Sequence, residues 1–186
     1  MSILVTGGAG YIGSHVVRLL QNRGEQVVVV DDFSTGIAER LGDATQVHLN
    51  LAAPDAVHVL TDVINEYAVT AVVHLAARKQ VGQSVEQPED YYLQNVGGMA
   101  NLLTAMRDCA VTRLVFSSSA ATYGMPDVPA VTEDIDCRPI NPYGETKLIG
   151  EWLAADSARA WGLRQANLRY FNVAGAGWPD LADTAV

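Results

Sequence analysis

Thr6-Gly-Gly-Ala-Gly-Tyr-Ile-Gly13 comes directly after the apolar run Ile3-Leu4-Val5, and the reading of this join decides the fold. Gly8, Gly10 and Gly13 fit G-x-G-x-x-G, while Gly7, Gly10 and Gly13 fit the wider G-x-x-G-x-x-G spacing. The pattern predicts a buried strand that stops at Thr6 and a helix that starts near Tyr11, with Ile12, Val16, Val17, Leu19 and Leu20 on its inner face. Glycines suit such a join because side chains would block the tight turn and the approach of a pyrophosphate to the backbone. Gly7, Gly10, Tyr11, Ile12 and Gly13 are therefore expected to hold the phosphates of a dinucleotide, on free N–H groups at the positive end of the helix. An ordinary glycine-rich turn would show the same spacing, so the next strand and its end must decide between the two.

Gly24 ends the first helix, and Val27-Val-Val-Val30 predicts the next strand, with Asp31 and Asp32 at once behind it. Asp31 lies 18 residues past Gly13, close to the roughly 20-residue spacing at which an acidic residue accepts hydrogen bonds from adenosine ribose hydroxyls. A carboxylate there would repel a 2′-phosphate, and no Arg stands immediately after it, so NAD is expected in preference to NADP.

The 186 residues allow one sizeable domain, and a 49% hydrophobic content supplies a substantial core. Mean hydropathy is +0.11, and no run approaches the length of a membrane span. A first strand beginning at residue 2 leaves no room for a signal peptide, so a cytoplasmic location is expected. The net charge of −9 argues against a nucleic-acid or anionic-membrane surface. It also requires that any phosphate be held by local N–H groups and a few placed cations. Cys109 and Cys137 fit no metal-ligand spacing and read as reduced core residues of a cytosolic protein. His15, His48, His58 and His74 form no zinc motif, so no metal is expected; His74, at a strand end, reads as a structural histidine.

Strand-like runs alternate with helix-like ones along the chain. The strands are Ile3–Val5, Val27–Val30, Gln46–Leu49, Ala71–Leu75, Arg113–Phe116 and Gln165–Tyr170, and the helices Tyr11–Arg23, Pro54–Glu66, Pro88–Cys109 and Pro142–Trp161. Pro88 and Pro142 suit a first helical turn, where a missing N–H costs nothing. Apolar strands in this alternation predict an α/β fold, a doubly wound, Rossmann-like parallel sheet covered on both faces. The helix over residues 88–109 carries Tyr92, Val96, Met99, Leu102, Leu103 and Met106 toward the sheet, with width left over for a partner helix. Ligands of such sheets bind beyond the carboxyl ends of the strands. Polar or glycine residues fall there repeatedly: Asn50 after the third strand, Ala76-Ala-Arg-Lys79 after the fourth, Ser117-Ser-Ser119 after the fifth, Phe171-Asn172 after the sixth.

Pro142-Tyr143-Gly-Glu-Thr-Lys147 opens a helix, so Tyr143 and Lys147 share one face, with Cβ atoms roughly 5–6 Å apart. A phenol with a reference pKa of about 10 is a poor base at neutral pH. A nearby ammonium and the positive nicotinamide ring favour the phenolate and lower that value. Tyr143 is then a general acid/base, and Lys147 also holds the cofactor ribose. Tyr and Lys at this spacing are common on helix surfaces; the glycine turn and the serine-rich strand end give the pair its meaning. Ser119 completes the set by hydrogen-bonding the reacting hydroxyl and passing its proton to Tyr143.

The chain resembles the extended short-chain dehydrogenase/reductases and, among them, the UDP-glucose 4-epimerase family. The resemblance runs from Met1 to about Ala176: Val5-Thr-Gly-Gly-Ala-Gly-Tyr-Ile-Gly-Ser-His15, Val73-His-Leu-Ala-Ala77 leading into Lys79-Gln-Val-Gly-Gln-Ser-Val85, Phe116-Ser-Ser-Ser119 with Tyr123-Gly124, Asn141-Pro-Tyr-Gly-Glu-Thr-Lys147, and Leu168-Arg-Tyr-Phe-Asn172. It implies that Lys79 and Asn95 contact NAD, as do Asn50, Leu51 and Ser117 at their strand ends, and that Tyr170 lies near the nicotinamide. It implies further that Lys79, Ser119, Tyr143 and Asn172 face a UDP-sugar. The implied reaction is NAD-dependent epimerisation at C4 of UDP-galactose or UDP-glucose, an isomerase step of galactose metabolism through a 4-keto intermediate. A homodimer through the helices over residues 88–109 and 142–161 is also expected.

Asn50 stands where relatives usually place an Asp against the adenine, and Gly97-Gly98-Met99 replaces the more usual Asn-Gly-Thr. Family members continue into a second domain that closes over the UDP moiety. Residues 1–172 thus read as the NAD-binding domain, residues 173–186 as the start of a truncated substrate-binding region, and activity as impaired in the short chain. A 4,6-dehydratase needs an adjacent Asp-Glu pair where Ala120-Ala121 stands, which disfavours it. The remaining alternatives are another sugar-nucleotide epimerase or a decarboxylase of the same superfamily, and a non-catalytic NAD-binding module.

Overall fold

The computed structural model describes residues 1–182. Six strands, β1 (Ser2–Thr6), β2 (Gln26–Asp31), β3 (Thr45–His48), β4 (Ala71–His74), β5 (Arg113–Ser119) and β6 (Arg164–Tyr170), form one sheet in the order β3-β2-β1-β4-β5-β6. Every neighbouring pair is parallel. The strand order reverses at β1, which pairs with β2 on one side and β4 on the other. Such a switch point leaves a crevice beyond the strand carboxyl ends.

The helices are α1 (Tyr11–Asn22), α2 (Ala56–Glu66), α3 (Val81–Glu86), α4 (Pro88–Tyr91), α5 (Gly98–Asp108) and α6 (Pro142–Trp161). On one face, α2, α5 and α6 bury Leu4, Val28, Val72, Leu114 and Phe116 in the larger core cluster. On the other, α1 covers Ile3, Val5, Val27 and Val29. The predicted cover on both faces therefore holds over β1 and β2. Among the described residues it fails over β5 and β6: Val115 is half-exposed, and Ala166 and Leu168 are exposed.

The predicted helix over residues 88–109 is interrupted. Residues Tyr92–Gly97 form a π-helical turn between α4 and α5, and Asn95 within it is 7% exposed. Such bulges cluster at functional sites because they re-aim one side chain inside a packed helix. β5 runs three residues beyond its predicted end, so the serines lie in the strand itself. Both cysteines are unpaired and half-buried rather than core residues; Cys109 caps α5 and Cys137 lies in the irregular stretch before α6.

After β6 the chain turns back across α1. The Tyr11 hydroxyl donates to the Gly175 carbonyl, Arg18 bonds Asp180 at 2.8 Å, and Arg40 donates to the Ala182 carbonyl at 2.9 Å. Leu181 is fully buried.

Candidate active site

The glycine turn between β1 and α1 has no room for side chains. Gly7 has φ +71°, and a Cβ on it would lie 2.5 Å from the Ala76 nitrogen, while one on Gly13 would lie 2.2 Å from the Gly7 carbonyl oxygen. The start of α1 carries no side-chain cap and no acidic residue in its first turn. Its first N–H groups therefore face the crevice without an intrahelical partner. Asp31 is not a solvated turn residue: it is 8% exposed. One carboxylate oxygen accepts from the Ala9 N–H at 2.9 Å and the other from the Phe33 N–H at 2.9 Å. Each keeps a lone pair, so the group can fasten the glycine turn and still accept from a ligand hydroxyl.

Gly7, Gly10, Tyr11, Ile12 and Gly13 border one crevice together with Asp31, Asn50, Leu51, Lys79 and Ser117. Asn50 also accepts from the Ala52 N–H at 2.8 Å, which shapes the loop after β3. Asn95 is not on the lining. Its amide accepts from the Arg78 N–H at 2.8 Å and donates to the Arg78 carbonyl at 3.1 Å and the Thr146 hydroxyl at 3.0 Å. It braces the wall from behind. Asp32, Ser34, Arg78 and Gln83 also line the crevice, although the sequence reading assigned them no ligand role. For Asp32, Ser34 and Arg78 the signal was position within a few residues of a strand end, whereas Gln83 lies in α3, inside the Lys79–Val85 stretch.

Tyr143, Lys147, Ser119 and Tyr170 lie outside this lining: Ser119 and Tyr170 end β5 and β6, and Tyr143 and Lys147 stand in the first turns of α6. Asn141 caps α6 by accepting from the Gly144 N–H at 2.9 Å, which fixes where Tyr143 enters the helix. Lys147 is 4% exposed and donates to the Ser117 carbonyl at 2.8 Å, joining the α6 pair to the end of the crevice. Its Nζ lies 5.2 Å from the Phe116 ring centre and 5.9 Å from that of Tyr143. Burial lowers the Lys147 pKa to about 8.

The lowering expected from the Lys147 ammonium is not found among the causes acting on the phenol. Burial raises the Tyr143 pKa above its ordinary value, and only the neighbouring Ser119 hydroxyl pulls it back down. The Lys147 ammonium gives one hydrogen bond to the Ser117 carbonyl and lies over the Phe116 and Tyr143 rings. Ser119 ends β5, and its Oγ accepts from the Ala121 N–H at 3.1 Å. Tyr170 is half-buried, with its phenol pKa raised by burial. Asn172 is exposed beyond the strand.

Two buried groups hold this floor in place. Ser118 donates to Glu151, whose carboxylate is gripped by Arg169 through Nε at 2.9 Å and Nη2 at 2.7 Å. The guanidinium lies 4.8 Å from the Tyr123 ring centre, so β5, β6, α6 and the turn after β5 are pinned at one point. On the other side His74 stacks on Phe116 at 5.6 Å and hydrogen-bonds Thr6 at 2.6 Å. Burial, aided by the Lys147 charge, lowers the His74 pKa to about 3 and keeps it neutral.

Residues 3–186 match the family described as the NAD dependent epimerase/dehydratase family. The chain is 47% identical over 176 residues to a UDP-glucose 4-epimerase of Corynebacterium glutamicum, covering 95% of this chain and 52% of that protein. A crystal structure of UDP-glucose 4-epimerase from Brucella ovis in complex with NAD superposes with a TM-score of 0.90 at 45% identity, over 94% of this chain and 53% of that one. The enzyme from Bifidobacterium longum in complex with NAD+ and UDP gives 0.90 at 32% identity, over 98% and 56%. The chain spans about half the length of the curated relatives it matches. With the glycine cradle, the aspartate behind β2 and the Tyr143–Lys147 pair on one scaffold, the chain belongs to the NAD dependent epimerase/dehydratase family.

Proposed function

We propose that this chain carries the cofactor crevice and the acid/base of an epimerase acting at C4 of a UDP-hexose, UDP-galactose or UDP-glucose, through a 4-keto intermediate. One observation carries the reading: Lys147, buried under Tyr143, is bonded to the carbonyl of Ser117, a residue of the crevice wall. A surface Tyr–Lys pair would have no such link.

The residues fit NAD. The cradle has space that a Cβ would fill at Gly7 and Gly13, and the free end of α1 offers N–H groups to a diphosphate. Asp31 accepts from the adenosine ribose hydroxyls and, with Asp32 beside it, repels a 2′-phosphate. Asn50, Leu51 and Lys79 complete the walls. When bound, NAD supplies a hydride acceptor that later returns the hydride, so no net oxidation results.

Tyr143 takes the proton from the sugar O4, directly or through Ser119, and gives it back at the end. A phenol raised by burial is protonated at rest, which suits the return step; the positive nicotinamide ring favours the phenolate for the forward one. Lys147 holds the nicotinamide ribose, Tyr170 flanks the ring, and Lys79 and Asn172 reach the sugar nucleotide. Exposed Tyr92, Leu93 and Trp152 lie on the helical segments 88–108 and 142–161, which supports a homodimer through these helices.

A coupled assay for UDP-glucose formation from UDP-galactose tests the activity, alongside competitive titration with NAD and NADP. The expected result is tight NAD binding, weak NADP binding, weaker NAD binding by Asp31→Ala, and slow turnover by the 186 residues alone. Turnover should be slow because Asn172 is exposed and the sheet is covered on one face alone over β5 and β6, so a sugar nucleotide would be held loosely there. Orientation of a held substrate is worth roughly 7–11 kcal/mol of barrier. Preference for NADP, or an Asp31→Ala variant that binds NAD unchanged, would overturn the cofactor assignment. Absence of turnover in a chain extended to the length of its relatives would overturn the reaction.

A further inference from the structure

Arg78 combines a rigid backbone with a loosely held side chain. Its backbone N–H and carbonyl are both bonded to the buried amide of Asn95, at 2.8 and 3.1 Å. Its guanidinium donates to the Ser34 hydroxyl at 3.2 Å and lies 3.6 Å from the Asp90 carboxylate. Ser34 belongs to the loop after β2 and Arg78 to the loop after β4, and these strands flank β1 on either side. The two loops thus start about 10 Å apart, two strand spacings. The side chain that joins them crosses the mouth of the crevice above the glycine turn.

The charges of the lining sharpen the point. Asp31 and Asp32 are its anions, Arg78 and Lys79 its cations. In a chain of net charge −9, removing Arg78 leaves the mouth facing a diphosphate with carboxylates in excess. The partners that hold the guanidinium are weak: the ion pair with Asp90 is long, and its side chains are 32% and 39% exposed. Exposed pairs of this kind contribute little. A phosphate oxygen is a stronger partner for a planar guanidinium than a hydroxyl is.

We propose that Arg78 is a cross-mouth latch: bonded to Ser34 in the free chain, it transfers its hydrogen bonds to the cofactor diphosphate and sets how long NAD stays bound. The inference rests on the assignment of NAD to this crevice and goes beyond it, to a residence time that a reaction returning its own hydride can exploit. Arg78 is a binding residue here and takes no part in proton transfer.

The test is stopped-flow fluorescence of NADH binding to the 186-residue chain, with release monitored after displacement by excess NAD. Arg78→Leu is expected to speed release about 10- to 100-fold, the worth of one charge-assisted hydrogen bond, with entry changed far less. Ser34→Ala is expected to do the opposite, speeding entry several-fold and leaving release within about twofold, because it removes only the free-state partner. Arg78→Lys keeps the charge without the fork and should fall between; it also serves should the Leu variant fold poorly. Release from Arg78→Leu within about twofold of the parent, in a chain that binds NADH, overturns the latch and leaves the cofactor assignment standing. A parent chain that binds no NADH overturns both.

Discussion

The two ends of the sheet are built differently. Over β1 and β2 every strand residue but Gln26 is buried, and helices close both faces. Over β5 and β6 only the face against α6 is closed, and the alternate residues, such as Leu168 at 39% exposure, meet solvent. The closed end carries the glycine cradle and Asp31, which must hold a ligand through backbone geometry. The half-open end carries Ser119 and Tyr143, to which the proposed reaction gives a second molecule, and Tyr170. On the proposed function, cover is densest where the cofactor would be held and access greatest where the sugar would react.

The largest expected effect strikes the half-open end. In a chain carrying the remaining length of its curated relatives, Tyr143→Phe should lower UDP-galactose turnover by about 10²–10⁴-fold, the usual contribution of a general acid/base. NAD binding should be kept, since the closed end is untouched; a variant of near-normal turnover removes Tyr143 from the chemistry. Next comes Leu4→Ala, at a side chain with no exposure in the closed end. Chemical denaturation should show a loss of about 2–5 kcal/mol. Gly13→Ala places a Cβ 2.2 Å from the Gly7 carbonyl. Such overpacking costs about 1–3 kcal/mol, and NAD titration should show binding lost with it.

At the seam between the two ends, His74 gives a pH signature. Its folded pKa is lowered to about 3 from 6.5, so between those values the unfolded chain binds a proton that the folded chain refuses. Stability must then fall as pH drops from about 6.5 toward 3, by up to about 1.4 kcal/mol per pH unit for one proton. Denaturation of the parent and of His74→Gln across this range should show the steeper slope in the parent; equal slopes would remove His74 as the cause. The smallest effect is Leu168→Ala, expected within about 0.5 kcal/mol, as at other surface sites. A cost like that of Leu4→Ala would mean that the two ends do not differ in cover.

Much of this was legible in the sequence because it is local. Strand-like runs marked all six strands, and the glycine spacing, Asp31, the serines and the Tyr143–Lys147 interval each lie within one turn or one strand end. The features that escaped depend on partners far along the chain. Arg78 reaches Ser34 across 44 residues, and Asn95 finds Thr146 across 51; neither pairing leaves a periodicity. The direction of the Tyr143 shift escaped for a related reason. A four-residue interval places Lys147 near the ring, but only the packed fold reveals that the phenol is buried, which raises its pKa.

The return of the chain across α1 has a kinetic meaning. Tyr11 and Gly175 are 164 positions apart, and Arg18 and Asp180 are 162 apart. Contacts between such distant positions close late, because loop closure must be met before they contribute. During synthesis α1 emerges among the first elements and Gln21 meets Leu41 early, yet Tyr11 and Arg18 gain their partners only when residues 175–182 are made. The helix behind the glycine turn is thus begun early and completed late, and a chain arrested before residue 175 would lack the Tyr11 and Arg18 contacts that hold its first two turns.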